Sequence, residues 1–454
     1  MENILDNVKK IHFIGIGGSG MCPMAEILIS AGFQISGSDQ NESDTLDRVK
    51  TYGIPVYLGH SPENIGDAEL VVYTAAAKQD NPEIVAAIEK GIPVLERSIV
   101  LGMLTKRFEN SIAVSGTHGK TTTTSMVTEI LIGAGKDPSA IIGGKLPTIG
   151  GNGLAGKSSY MVCEACEYVD TFLQLFPSVS LILNVEADHL DYFKTLDNVV
   201  KSFSKFACQT SDMIVVNGDD KNALKACENT KHITFGINET NDYYPVETSE
   251  KGSAFKSFIV MHHGENLGEI SLVVPGKHNM QNALAAFATC HYLGVDCESI
   301  VTSLSKFSGV HRRFEILGTF NGVTVADDFA HHPTELTAVL SSAISMRYNK
   351  VWAIFQPHTF SRTYMFLEDF IKALSIPQEL ILTDILAVRE ENIYGITTEA
   401  ISSKIPNSHH LGSFEEISDF VIKNANENDL ILTLGGGDIY KCANLIVDKY
   451  KKSI

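Results

Sequence analysis

The chain has 454 residues, of which 44% are hydrophobic and 20% are charged, and its formal net charge at pH 7 is −18. This length predicts about three domains, and the composition indicates a globular α/β protein and excludes a largely disordered chain. The negative charge, without a basic patch, argues against a nucleic-acid partner. The sequence shows no signal peptide and no membrane-spanning stretch, so we expect a cytoplasmic protein with no membrane partner. It indicates no oligomeric state.

The first predicted domain, residues 1–105, alternates short apolar strands with helices and is Rossmann-like. We predict strands at Lys10 to Ile14, Gln34 to Ser38 and Val71 to Tyr73, and a helix from Gly20 to Gly32. This alternation is typical of parallel sheets whose crossover connections are helices.

A glycine-rich loop joins the first strand of this domain to its helix. The loop has the spacing G-x-G-x-x-G, with candidate ligand-binding residues Gly15, Gly17, Gly18, Ser19 and Gly20, and Asp39 ends the next strand. Taken alone, this pattern predicts a dinucleotide site. It specifies no more than a pyrophosphate at a helix N-terminus, however, which a nucleotide diphosphate sugar also supplies. A plain tight turn is the alternative.

A second glycine loop opens the central predicted domain, residues 106–312. Ile112 to Val114 read as a buried strand, and a helix is predicted to begin near Thr121. The loop between them contains Gly116, Thr117, His118, Gly119, Lys120, Thr121 and Thr122. We predict that Lys120 reaches the β- and γ-phosphates of a nucleotide and that Thr121 binds Mg²⁺. Val114 stands where the longer form of this loop has glycine, so the loop is a shorter variant.

Acidic and imidazole side chains follow two further predicted strands of the central domain, Met161 to Glu164 and Val179 to Val185. Glu164 ends the first strand, and His189 follows the second. Because the carboxyl ends of parallel strands collect ligands, these side chains are candidates for a divalent-cation site beside the phosphates. The alternative is that they are capping or surface residues.

Two asparagines, Asn279 and Asn282, lie three residues apart in a helix predicted after Gly276. This spacing puts both side chains on one helical face, where they can hydrogen-bond a base or a phosphate. A helix-capping role is the alternative for one of them. Further along, Arg313 follows a linker-like stretch and is a candidate phosphate ligand or a solvated hinge residue.

The third predicted domain, residues 313–454, is again α/β. We predict strands at Thr324 to Asp327, Val351 to Phe355, Glu379 to Thr383 and Leu430 to Leu434. Polar residues follow these strands and suggest a site; they include Asp328, His331, His332, His358 and Arg362. Alternatively, the two adjacent histidines cap the helix that Pro333 begins.

Nine short motifs of this sequence occur in the same order as in one known enzyme family. They are G-I-G-G-S-G-M from Gly15, S-G-S-D from Ser36, S-G-T-H-G-K-T-T from Ser115, E-A-C-E from Glu164, E-A-D-H from Glu186, G-K-H-N-M-Q-N-A from Gly276, R-R-F-E from Arg312, D-D-F-A-H-H-P-T-E from Asp327 and Q-P-H-T-F-S-R-T from Gln356. Over essentially its full length the chain therefore resembles the Mur ligases.

The resemblance implies three α/β domains: an N-terminal Rossmann-like UDP-binding domain, a central parallel-sheet ATPase domain with a variant P-loop, and a C-terminal Rossmann-like domain. It also implies an activity. The expected enzyme is an ATP- and Mg²⁺-dependent ligase that joins L-alanine to the lactoyl carboxylate of UDP-N-acetylmuramate through an acyl phosphate. This reaction belongs to peptidoglycan precursor synthesis.

The resemblance also implies roles for individual residues. Those implied to bind the UDP-sugar are Gly15, Gly17, Gly18, Ser19, Gly20, Ser38, Asp39 and His60. Those implied to bind ATP are Gly116, Thr117, His118, Gly119, Lys120, Thr121, Thr122, Asn279, Asn282, Arg313 and Asp328. The implied catalytic residues are Lys120, Glu164, His189 and Arg313, and the implied metal ligands are Thr121, Glu164 and His189. The implied amino-acid-binding residues are His331, His358 and Arg362.

Three alternative functions stay open from the sequence. The first is a sister ligase of the same family that attaches a recycled peptide to the same UDP-sugar. The second is a nicotinamide-dependent oxidoreductase that uses the first glycine loop. The third is a nucleotide-regulated binding protein without catalytic activity.

Overall fold

Three sheets with flanking helices form the structure, a computed structural model that describes residues 4–388 and 390–452. The chain divides into two compact units. Unit 1 comprises residues 1–245, 260–268 and 282–304, and unit 2 comprises residues 246–259, 269–281 and 305–454. None of the helices in the described ranges combines the length and hydrophobicity that crossing a membrane requires. The predicted α/β class is confirmed.

The first sheet belongs to unit 1. Its region contains a 3₁₀ helix (Ile4–Asp6), β1 (Lys10–Ile14), α1 (Cys22–Ser30), β2 (Gln34–Asp39), α2 (Asp44–Thr51), β3 (Val56–Leu58), a 3₁₀ helix (Pro62–Ile65), β4 (Leu70–Tyr73), α3 (Pro82–Glu89), β5 (Val94–Glu96) and α4 (Arg97–Thr105). The five strands are parallel in the order β3-β2-β1-β4-β5. Strand order reverses between β1 and β4, so the glycine loop after β1 lies at the edge where such sheets bind ligands.

The second sheet has ten strands. Its region contains β6 (Asn110–Ser115), α5 (Lys120–Gly133), β7 (Ser139–Leu146), a 3₁₀ helix (Pro147–Ile149), β8 (Gly151–Leu154), β9 (Tyr160–Glu164), a 3₁₀ helix (Tyr168–Gln174), β10 (Val179–Ile182), α6 (Leu190–Phe193), α7 (Leu196–Gln209), β11 (Met213–Asn217), α8 (Lys221–Cys227), β12 (His232–Phe235), β13 (Tyr243–Glu247), β14 (Phe255–His262), β15 (Glu265–Pro275), α9 (Lys277–Tyr292) and α10 (Cys297–Lys306). The strand order is β15-β14-β13-β12-β11-β10-β6-β9-β7-β8. Because β6 pairs in parallel with both β9 and β10, the loops after these three strands begin side by side.

The third sheet belongs to unit 2 and has six strands. Its region contains β16 (Glu315–Phe320), β17 (Val323–Asp328), α11 (Pro333–Ser345), β18 (Val351–Phe355), α12 (Phe360–Met365), α13 (Leu367–Leu374), β19 (Glu379–Leu382), α14 (Glu399–Ser402), β20 (Ser408–His410), α15 (Phe414–Asn424), β21 (Leu430–Leu434) and α16 (Tyr440–Lys452). The order is β16-β17-β21-β18-β19-β20; the β16–β17 pair is antiparallel, and the other four pairs are parallel. The carboxyl ends of β17, β21 and β18 are therefore neighbours.

Two predicted strands are too long: the one predicted at Glu379 to Thr383 ends one residue early, at Leu382, and the larger difference is at β10. The sequence predicts a strand from Val179 to Val185, but β10 ends at Ile182. Beyond that point the chain leaves the sheet because its polar groups bond to the phosphate loop and to the next loop: Asn184 O accepts from Thr117 N at 3.1 Å, and Val185 N donates to Asp220 Oδ2 at 3.0 Å.

Within unit 1, an ion pair links the first sheet's helices to the region around β8. Arg48 on α2 donates from Nε to Glu26 Oε1 on α1 at 2.7 Å, and Glu26 is buried. The same guanidinium donates to Gly150 O at 2.8 Å and to Gly153 O at 2.9 Å. A Cβ at Gly151 would overlap this guanidinium, so any larger residue there would displace it. The acceptors of Arg48 are the Glu26 carboxylate, these two carbonyl oxygens and, at 3.4 Å, the Tyr52 hydroxyl, and the charge-assisted bonds to Glu26 make the contact strong.

We predict that Arg48→Met destabilises unit 1 by about 3 kcal/mol, because it leaves the buried Glu26 carboxylate without its cation. The double variant Arg48→Met with Glu26→Gln should recover part of this loss. Urea unfolding, monitored by far-UV circular dichroism, measures both effects. The control is Lys50→Met, whose ion pair with Asp47 is exposed to solvent and is therefore expected to contribute little to stability. Equal midpoints for Arg48→Met and Lys50→Met would contradict the role of the pair.

Candidate active site

The phosphate loop after β6 has the backbone conformation that its glycines predict. Gly116 and Gly119 have φ angles of +140° and +87°. A Cβ at Gly116 would lie 2.9 Å from Leu183 Cβ, and one at Gly119 would lie 2.6 Å from Asn282 Oδ1. The predicted ATP ligand Asn282 therefore lies against this loop. Because α5 begins at Lys120, its first-turn amides and positive dipole end face the loop, as an anion site requires.

Asn184, which the sequence analysis did not select, holds this loop. Its Oδ1 accepts from His118 N at 2.8 Å, and its Nδ2 donates to His118 O at 3.0 Å. Thr117 Oγ1 accepts from Glu186 N at 2.9 Å and ties the same two loops together. The loop is thus shaped by the segment after β10. The position of Asn184, directly after an apolar strand and before the E-A-D-H motif, was the available signal.

Lys120 is a fixed cation at the carboxyl end of β6. Its Nζ donates to Gly116 O and Thr117 O, and it pairs with Glu167 Oε2 at 2.9 Å. Burial, the largest single effect, favours the neutral amine, but the charges of Glu167, Cys166 and Glu164 and the hydrogen bond with Glu167 together keep the pKa of Lys120 above its ordinary value. Glu167 is itself buried and was not selected from the sequence. Lys120 therefore stays protonated at any physiological pH.

The three predicted metal ligands lie at the ends of three elements of unit 1. Thr121 is in the first turn of α5, Glu164 ends β9, and His189 directly precedes α6 with φ +53°. Glu164 Oε1 accepts from Gly143 N at 2.6 Å, which orients the carboxylate. Oxygen donors suit Mg²⁺, so Thr121 and Glu164 fit the ion. An imidazole nitrogen suits it less, so His189 is the member of the set whose chemistry fits least.

The end of β2 supports the first glycine loop. Ser38 O accepts from Gly15 N at 2.8 Å and from Ile16 N at 3.0 Å. Asp39 Oδ2 accepts from Gly17 N at 2.9 Å. The carboxylate of Asp39, which belongs to the pattern that predicted a dinucleotide site, thus holds the loop in this structure. Direct contact of Ser38, Asp39 and the loop with a UDP-sugar stays a prediction.

A buried carboxylate, Glu83 on α3, connects Ser38 with His60. Glu83 Oε2 accepts from Ser38 Oγ at 2.6 Å and lies 3.2 Å from His60 Nδ1, while Oε1 accepts from Asn64 Nδ2 at 2.6 Å. Burial alone would raise the pKa of Glu83, but hydrogen bonds from His12, Ser38 and Asn64 lower it to about 2. Two predicted UDP-sugar residues therefore share one ionised partner. The sequence analysis missed it because Glu83 lies 45 residues from Ser38.

In unit 2, three predicted ATP ligands are buried or packed against an aromatic ring. Asn279 Nδ2 donates to Pro275 O at 2.7 Å. The guanidinium of Arg313 lies 5.2 Å from the centre of the Phe329 ring. Burial raises the pKa of Asp328 to about 6, and the charge of Arg313 opposes this rise. The structure therefore brings Arg313 near Asp328.

The neighbouring Arg312, in contrast, holds unit 2 together. It donates to Asp327 Oδ2 at 2.8 Å, to Gly437 O at 2.9 Å and to Gly435 O at 2.7 Å. The R-R-F-E motif thus contains one arginine whose side chain is committed to the protein.

The predicted amino-acid-binding residues of unit 2 lie together. The rings of His331 and His358 are 5.5 Å apart, and Arg362 NH1 lies 3.5 Å from His358 Nδ1. Burial, followed by the charges of His331 and Arg362, lowers the pKa of His358 to about 4, so this imidazole is neutral at pH 7. His332 forms the N-cap of α11 in a capping box with Glu335, which confirms the capping alternative for that histidine.

We predict that Glu83 makes stability depend on pH under acidic conditions. Because the pKa of Glu83 falls from 4.5 to about 2 on folding, the ionised carboxylate stabilises the fold above pH 4.5, and this contribution is lost as the pH falls towards 2. Relative to Glu83→Gln, the natural protein should lose about 1 kcal/mol of unfolding free energy between pH 5 and pH 3.5. Urea unfolding at several pH values measures this difference. Glu89→Gln, at an exposed position of the same helix, should keep the natural slope, and an unchanged slope in Glu83→Gln would contradict the prediction.

Models of one protein family match most of the chain. The Mur ligase family catalytic domain matches residues 10–109, the Mur ligase middle domain matches residues 114–290, and the glutamate ligase domain of Mur ligases matches residues 312–437. The resemblance inferred from motifs is confirmed, and so is the three-domain architecture. The domain boundaries at 105 and 312 stay a prediction.

Full-length relatives agree with these matches. The chain is 44% identical to the UDP-N-acetylmuramate–L-alanine ligase of Acetivibrio thermocellus over 98% of this chain and 97% of that protein. The crystal structure of the UDP-N-acetylmuramate–alanine ligase of Thermotoga maritima matches with a TM-score of 0.83 and 31% identity over 98% of this chain and 100% of that one. A murein peptide ligase from Psychrobacter arcticus, 23% identical with a TM-score of 0.73 over 97% and 98% of the two chains, shares the fold. The chain belongs to the Mur ligase family.

Proposed function

We propose that the chain joins L-alanine to the lactoyl carboxylate of UDP-N-acetylmuramate at the expense of ATP, in peptidoglycan precursor synthesis. The observation that carries this proposal is the full-length 44% identity with relatives named for this reaction. The phosphate loop with its fixed cation Lys120 supports the ATP-dependent part of the proposal. Because ATP and nucleotide sugars are cytoplasmic metabolites, we place the reaction in the cytoplasm.

The chemistry proceeds in two steps. The lactoyl carboxylate attacks the γ-phosphorus of ATP, and the bond to the bridging oxygen breaks to release ADP and leave an acyl phosphate. The amine of L-alanine then attacks the acyl carbon, and the tetrahedral intermediate expels phosphate and loses a proton to form the amide. Phosphoryl transfer needs mainly in-line positioning and neutralisation of charge, and rigid loops with fixed cations provide both.

The residues of unit 1 supply that positioning. The amides of Thr117 and His118 donate to Asn184, so the remaining amides of the loop from Gly116 to Thr122 are the ones proposed to cradle the phosphates, and Lys120 neutralises charge without having to gain a proton. Bound Mg²⁺ would add further neutralisation of the phosphates, with Thr121 and Glu164 as its oxygen ligands and His189 beside them. Asn184 keeps the loop in the shape that this binding requires. Each of these roles is a proposal that substitution can test.

The remaining residues are assigned to the UDP-sugar, the nucleotide and the amino acid. In unit 1 the glycine loop, Ser38, Asp39 and His60 are proposed to bind the UDP-sugar. In unit 2 the proposed nucleotide ligands are Asn279, Arg313 and Asp328, and the proposed amino-acid ligands are His331, His358 and Arg362. The neutral His358 beside the cation of Arg362 suits an amino acid, since the guanidinium can pair with the carboxylate of alanine while the imidazole accepts a proton.

We predict that phosphate release from ATP and Mg²⁺ requires both UDP-N-acetylmuramate and L-alanine. Parallel reactions contain L-alanine, the tripeptide L-alanyl-γ-D-glutamyl-diaminopimelate, or no acceptor, and mass spectrometry identifies the amide product. Release with the tripeptide and not with L-alanine would show the peptide-recycling activity instead. No release in any reaction would contradict a ligase function.

We predict that Lys120→Ala lowers kcat at least about 10²-fold, because the transferred phosphoryl group loses its cationic ligand. Binding of UDP-N-acetylmuramate, measured by isothermal titration calorimetry, should stay within about twofold of the natural value. The control is Lys201→Ala, an exposed lysine of α7, which should keep natural kcat. Full activity in Lys120→Ala would disprove the assignment of the phosphate loop.

A further inference from the structure

Arg97 lies beside the last glycine of the first glycine loop. It is the first residue of α4, and its side chain is half-buried. A Cβ at Gly20 would lie 2.8 Å from Arg97 NH1 and 3.2 Å from its Cζ. The absence of a side chain at position 20 is therefore what lets the guanidinium lie against the loop. Both residues belong to unit 1.

The guanidinium of Arg97 is not committed to another residue of the protein. Within residues 4–388 and 390–452 it makes no hydrogen bond and no ion pair. Other arginines of unit 1 are paired: Arg48 binds Glu26, and Arg107 binds Asp6. A half-buried guanidinium carries five donors, and groups of this kind are normally satisfied by an acceptor.

The loop beside Arg97 has few amides left for an anion. The amides of residues 15–18 and 21–22 already donate to acceptors within the protein, among them Ser38 O and Asp39 Oδ2. The sequence contains no lysine or arginine between Lys10 and Arg48, and Arg48 is held by Glu26. An anionic ligand on this loop therefore needs a cation from elsewhere in the chain.

Arg97 also lies near the second sheet. It lies close enough to Cys163 for its charge to act on that residue. Cys163 and Glu164 are the last residues of β9. The guanidinium is thus close to the glycine loop of the first sheet and within electrostatic reach of the strand end that carries a predicted metal ligand.

We propose that Arg97 binds an oxyanion of the UDP-sugar, which is either its diphosphate or its lactoyl carboxylate. This inference rests on the proposed function. The planar guanidinium can donate two parallel hydrogen bonds to either group, and both groups have the matching geometry. The diphosphate would lie on the glycine loop, and the carboxylate would lie towards β9, where the proposed phosphoryl transfer takes place.

Binding of three ligands by isothermal titration calorimetry tests the proposal and locates the contact. The ligands are UDP, UDP-N-acetylglucosamine, which lacks the lactoyl group, and UDP-N-acetylmuramate. We expect Arg97→Met, which keeps the apolar stem and removes the charge, to raise Kd about tenfold to a hundredfold. An equal rise for all three ligands assigns the diphosphate, and a rise confined to UDP-N-acetylmuramate assigns the carboxylate.

Two further variants separate binding from packing. Arg97→Lys keeps the charge and should recover part of the affinity, whereas Arg107→Met, at a paired arginine near the end of the same helix, should bind all three ligands normally. KM for ATP should stay within about twofold in Arg97→Met. Unchanged affinity in Arg97→Met, or an equal loss in Arg97→Met and Arg97→Lys, would overturn the proposal. Failure of the natural protein to bind any of the three ligands would instead contradict the proposed function.

Discussion

The parallel pairing of β6 with β9 on one side and β10 on the other is the constraint on which the candidate site depends. In parallel strands all carboxyl ends point to the same edge, so three loops must begin within two strand spacings, about 10 Å, of one another. One loop brings the cation Lys120, the second brings Glu164 and Glu167, and the third brings Asn184. No long-range folding of flexible segments is needed to assemble this set.

The loops at this edge are held by side chains as much as by backbone. Asn184 satisfies both the N–H and the C=O of His118, and in the first sheet the Asp39 carboxylate accepts from the N–H of Gly17. Such bonds fix loop shape before a ligand binds, which lowers the entropy that binding must overcome. These bonds also occupy backbone amides that could otherwise bind an anion. The remaining charge on a bound phosphate then has to be neutralised by side chains such as Lys120.

How well the sequence predicts this structure depends on how far apart along the chain the interacting residues lie. Local signals worked well: strand β1, the phosphate loop and the helix that begins at Lys120 lie where apolar runs and glycines predict them. The length of β10 was wrong because the event that ends it, the bond between Asn184 and the phosphate loop, involves residues 66 positions apart. Glu83 was missed for the same reason, since no local pattern shows that its carboxylate meets Ser38. The roles of the site residues themselves stay predictions until they are tested by substitution.

The clamp formed by Arg48 has a consequence for how the region around β8 can change in evolution. The guanidinium recognises the carbonyl oxygens of Gly150 and Gly153, which every amino acid possesses, and does not depend on a side chain in that segment. Sequence drift is therefore restricted by space at two glycines and by backbone conformation at a third: Gly151 lies against the guanidinium, a Cβ at Gly153 would lie 2.6 Å from Pro23 Cβ, and Gly150 has a φ of +61°. The exposed part of the Leu154 side chain is under no such restriction, so neutral substitutions in this segment should accumulate at Leu154 and not at the glycines.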